Sequence, residues 1–197
     1  MNDCLSPILH RNSLELRALH NVQIRSAVED LLALFDPVSA ALNVLQSDTA
    51  TIADAFDAFV KLKQNQKIKT NENASAALHK YSEYTLSSPL FQAVYLLDPS
   101  YHGEHLNPNE LESACIYIKS LHSDNQDMRE ALTDYISNSP PYNTQAIVRG
   151  RNWWKAGKRL GFNPLLCDLG IDMGACIASS AGLERSFSTM KLTYGEL

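Results

Sequence analysis

The chain has 197 residues, 45% of them hydrophobic and 20% charged, a composition of ordinary globular proteins long enough to bury a real core. Seventeen basic against twenty-two acidic residues leave a net charge of −5, which excludes a surface basic throughout but allows a local basic patch. No apolar run reaches membrane-spanning length, and the start, MNDCLSPILHRNS, lacks the cationic and apolar regions of a secretory signal, so an intracellular protein is expected.

From Ser13 to Phe35, apolar residues at Leu16, Leu19, Ile24, Ala27, Val28, Leu31, Leu32 and Phe35 follow helical spacing. Asp36-Pro37 is expected to close that helix and open the next, with Asp36 as N-cap and Pro37 at the first helical position. A third helix is expected from Asp48, stacking Ile52, Ala55, Phe56, Phe59, Val60 and Lys63 by threes and fours. The stretch KLKQNQKIKTNENAS that follows is polar and lysine-rich, and reads as a frayed helix end and loop.

Pro89 starts the short apolar segment LFQAVYLLD, which Asp98-Pro99 should stop because the residue before a proline disfavours helix. After the loop SYHGEH, Asn107-Pro108-Asn109-Glu110 has the form of a capping box. The helix it announces carries Leu111, Ala114, Cys115, Ile118 and Leu121 on one side. Another helix is expected over Gln126 to Ile136, and Ser139-Pro140-Pro141 marks the best boundary in the chain. No alternating apolar runs suggest a hairpin, so the fold class expected is all-α, or nearly so.

Few residue constellations carry chemistry. His102-x-x-His105, with Asp98 and Glu104 nearby, lacks both helical HExxH spacing and a third ligand, so it reads as loop histidines. Cys4, Cys115, Cys167 and Cys176 form no CxxC pair and suit reduced buried thiols. Gly150, Gly157 and Gly161 are separated by bulky side chains and make no phosphate loop.

The segment IVRGRNWWKAGKRLGFNPLL sets Arg149, Arg151, Lys155, Lys158 and Arg159 around Trp153-Trp154, a combination suited to phosphate contact plus base stacking. Adjacent helix residues diverge by about 100 degrees, which favours one tryptophan packed inward with basic side chains lying over it. Further on, a helix capped near Ser179 or Ser180 would put Leu183, Phe187, Met190 and Tyr194 on one face and Glu184, Ser188 and Lys191 on another. Spacing alone leaves Glu184 as a first-turn acid favoured by the helix dipole.

Three blocks in order resemble the C-terminal region of hAT-superfamily transposases. They are Ala41 to Phe59, then Leu90 to Ile118 with its apolar-Leu-Asp-Pro-x-Tyr segment, then the stretch from Trp153-Trp154 to Thr189. The last contains Phe162-Asn163-Pro164-Leu165-Leu166 and Ser180-Ala181-Gly182-Leu183-Glu184-Arg185-Ser186-Phe187-Ser188, similar to the family's dimerisation motif.

The resemblance implies a helical region resembling the hAT insertion domain over residues 1–138. Residues 139–197 then hold a truncated C-terminal dimerisation region and the last helix of an RNase H-like core. It maps Glu184 onto the final acid of an Asp-Asp-Glu triad, without the two partner aspartates in this chain. A reactive Mg²⁺ or Mn²⁺ pair needs convergent carboxylates, so metal is expected only with a full transposase core.

The function expected is a non-catalytic dimerisation module in the nucleus, pairing with itself or a related hAT-type protein, through Trp153, Trp154, Leu165, Leu166, Leu169, Leu183 and Phe187. On that expectation Phe187→Asp and Trp154→Asp act alike, since both break one joint cluster. A fragment completing a transposase in trans, or a weak nucleic-acid-binding remnant using Arg149 to Arg159, are the alternatives.

Overall fold

The computed structural model describes residues 22–122, 125–143 and 150–178. Among them lie nine helices: α1 (Val22–Leu45), α2 (Ile52–Gln64), α3 (Gln66–Thr70), α4 (Glu72–Ser87), α5 (Pro89–Leu97), α6 (Pro108–Leu121), α7 (Gln126–Ile136), α8 (Arg151–Gly157) and α9 (Pro164–Met173). The described residues include no strand, and Thr51 and Ile177 form an isolated antiparallel bridge. The fold is all-α, as the sequence leads one to expect. No helix among the described residues is long and apolar enough to cross a membrane.

Where a start signal is complete, the helix begins on it. Asn107 accepts from Asn109 and Glu110 amides while Glu110 accepts from the Asn107 amide at 2.9 Å, with Pro108 in the first turn. Pro89 opens α5, α5 stops before Asp98, and α7 covers the expected Gln126–Ile136.

Three expectations need correction. Asp36-Pro37 does not divide two helices, because α1 runs through Pro37 to Leu45. A proline deletes one backbone bond, and the flanking turns still carry the helix past it. The next helix starts at Ile52 instead of Asp48, because Thr51 and Asp54 make the reciprocal capping box; the Thr51 amide reaches Asp54 at 2.7 Å. The polar stretch after Lys61 is not a loop. Asn65 and Asn71 each accept from amides of the following turn and start α3 and α4 in succession.

The core centres on α5. Residues Gln92 to Leu97 are all buried, and the helix packs against α2, α4, α6 and α9. A helix apolar on every side needs such enclosure. Packing also continues across Ser139-Pro140-Pro141. Tyr142 is buried just beyond it, its ring 4.7 Å from that of Phe162, and one apolar cluster includes residues from both sides of the segment.

Cys167 on α9 belongs to that cluster, and burial pushes its thiol from the ordinary 9.0 up to about 11. The folded chain therefore holds this proton more tightly than the unfolded chain. Its contribution is complete below about pH 9 and is lost as pH rises toward 11. Burial raises the Tyr95, Tyr101 and Tyr135 hydroxyls too, which works in the same direction. Urea midpoints are expected to fall as pH rises above about 9. At neutral pH, alkylation should take exposed Cys176 and spare Cys167 until unfolding.

Candidate interaction surface

The described part of the C-terminal cluster is interior. Trp154 is fully buried, its Nε1–H donating to the Leu97 carbonyl at 2.8 Å and its ring 5.0 Å from that of Tyr135. Trp153 is buried as well, 4.8 Å from Phe162 and edge-on to Trp154. This corrects the expectation of one inward tryptophan: Tyr135 and Phe162 each lie against both indoles. Leu166 is also buried, while Leu165 and Leu169 are half-buried against the same cluster. The apolar area of Trp153, Trp154 and Leu166 is already covered by their own chain, so these residues offer no dimer face in this structure. Leu183, Phe187 and Glu184 lie outside the described residues.

Arg151, Lys155 and Arg159 are exposed at four-residue spacing on and just beyond α8, and Lys158 pairs with Asp168, which raises its pKa. Arg149 lies outside the described residues. The basic row is real, but the indoles that would stack bases are inside the protein.

The motif residues have structural work. Asp98 accepts from the Ser100 amide at 2.8 Å, and Tyr101 donates to Asp54 at 2.5 Å, tying the Leu-Asp-Pro-x-Tyr turn to α2. Tyr95 donates to buried Asp57, which Lys61 also meets at 2.6 Å. Asn163 caps α9 by accepting from Leu165 and Leu166 amides, with Pro164 in the first turn. His102 stacks on Tyr135 at 4.4 Å. Among the described residues no three His, Cys, Asp or Glu side chains are grouped to hold a metal ion.

The unusual surface lies at α1. None of its described side chains is buried, although it carries the apolar stripe that helical spacing would assign to a core. Ile24, Val28, Leu31, Leu32 and Phe35 are each about half exposed or more, Phe35 at 61%. Periodicity shows that a helix has an apolar side and not what covers it. α1 rests on α2 and α3 by one edge of a wide apolar arc. Beneath that edge, α1, α2 and α4 enclose a groove of about 540 Å³. Leu34, Leu45, Phe59, Leu62 and Ala77 are among its walls, and among the described wall residues Asn73 and Tyr81 carry a polar side-chain group. Ile24, Val28 and Leu32 are outside the groove, on the adjoining arc of the helix.

The ion pairs near α1 do not explain its position. Arg25–Glu29 at 3.1 Å and Lys67–Asp30 at 3.9 Å are both exposed, and such pairs contribute little. No protein-family model, curated protein or solved structure matches this chain.

Proposed function

We propose that this protein is a non-catalytic interaction module of the hAT-transposase type that self-associates in the nucleus, and that α1 is its contact surface. The single observation that carries self-association is a 24-residue helix with an apolar arc and no buried described side chain. Contiguous apolar surface of this kind is rare on monomers and marks an interaction site. A second copy, antiparallel about a two-fold axis, would bring Ile24, Val28 and Leu32 against their own counterparts. Each such side chain contributes roughly 1.5–3 kcal/mol when fully buried.

The family assignment rests on the ordered sequence blocks. The exposed row Arg151, Lys155 and Arg159 favours a second reading, nucleic-acid contact. With Trp153 and Trp154 buried, the described row retains phosphate attraction, which is salt-sensitive and sequence-independent.

Light scattering across a dilution series tests the first reading. The wild-type chain is expected to be dimeric at micromolar concentration, and Val28→Glu with Leu32→Glu to be monomeric with unchanged circular dichroism. Loss of dimers only on changing Arg151 and Lys155, or a wild-type chain monomeric throughout, would reject it.

A further inference from the structure

We propose that the polar cleft between α4 and the start of α6 binds a small molecule through a primary ammonium group, held by Gln92 and Glu83. The cleft measures about 400 Å³, toward the lower end of ligand sites, so it suits a molecule of a few heavy atoms. Its walls include Lys63 from α2, Glu83 and Ser87 from α4, Gln92 from α5, and Glu110 and Ser113 from α6.

Gln92 is the wall residue that asks for a ligand. It is 3% exposed, and its Nε2–H donates to the Leu86 carbonyl at 2.8 Å. That bond fixes which end of the amide is the donor. It leaves Oε1 buried and without a hydrogen-bond partner among the described residues. Buried side-chain amides normally have both ends satisfied, so an open acceptor in a cleft wall points to a donor coming from the cleft. The oxygen is screened from solvent, and a donor reaches it when a rim side chain turns aside. Exposed side chains make such changes on the nanosecond timescale.

The charges select the kind of donor. At the start of α6 the Asn109 and Glu110 amides donate to Asn107, and the Asn107 amide donates to Glu110. Those are the amides through which a helix start holds an anion, and they are already taken. Glu83 is exposed, and no ion pair engages it among the described residues. With His79 neutral, Glu83 and Glu110 outnumber Lys63 in the cleft. An amide acceptor beside surplus carboxylate calls for a cation with N–H donors, and an ammonium group offers three. None of these residues lies on α1, so the inference does not rest on self-association.

The test is a proton–nitrogen NMR titration of the full chain with n-butylamine at pH 7 and constant ionic strength. Saturable shifts are expected at the Gln92 side-chain amide and at backbone amides of residues 83–87 and 110–113. Half-saturation should fall on the order of 1 mM. 1-Butanol, of the same length without the charge, should leave those signals in place. Glu83→Gln, a change at an exposed position, should weaken butylamine binding about tenfold. Equal shifts with 1-butanol, shifts that never saturate, saturable shifts at other residues, or an unchanged affinity in Glu83→Gln would each overturn the proposal.

Discussion

Trp154→Ala is expected to destabilise the whole fold by about 3–5 kcal/mol, the range for truncating a large buried aromatic. The indole fills the space between α5, α7 and α9 at zero exposure, and its Nε1–H satisfies the buried Leu97 carbonyl. Alanine would leave both a cavity and an unpaired acceptor. Against a total stability of roughly 5–15 kcal/mol, that loss leaves a small domain marginal. Trp154→Phe, which keeps a ring and loses the donor, should cost less. Urea titration followed by circular dichroism measures both. A Trp154→Ala chain of wild-type stability that had lost only self-association would show the indole to be an interface residue after all.

Gly170→Val is the second large effect. A Cβ at Gly170 would stand 2.4 Å from the Trp154 indole, closer than carbon atoms pack. Trp154 cannot withdraw, because Leu97 holds its nitrogen and Tyr135 lies against its ring. Overpacking in a dense core costs about 1–3 kcal/mol, and valine adds branching beyond the Cβ. Adding Trp154→Phe to Gly170→Val should recover part of the loss, so that the two costs are less than additive. Simple additivity in the same titration would mean that the two sites do not press on each other.

The sequence was most legible where a helix start needs particular side chains in particular places. Asn107-Pro108 with Glu110 and the step at Pro89 each specify local hydrogen bonds or a fixed φ, so they could be read without the fold. Asn65 and Asn71 were equally good caps, but the lysines and asparagines around them looked like a solvated loop. Pro37 misled in the other direction, since a helix can run on past a proline.

The interaction surface was half legible. Helical spacing identified the stripe on α1 and the Trp153–Leu169 cluster alike as apolar. Which of them is covered depends on Tyr135, Tyr142 and Phe162, which converge on the indoles from separate parts of the chain. No local pattern encodes that convergence. The resemblance to hAT transposases pointed to the C-terminal cluster as the dimer face, whereas the exposed apolar area among the described residues is concentrated on α1.

Amide hydrogen exchange of the wild-type chain at two concentrations, one above and one below the dimer threshold, tests the central claim most directly. If α1 is the contact surface, residues 24–35 gain protection at the higher concentration, while residues 151–173 exchange equally slowly at both. Protection that changes with concentration at residues 151–173 and not at 24–35 would contradict the account.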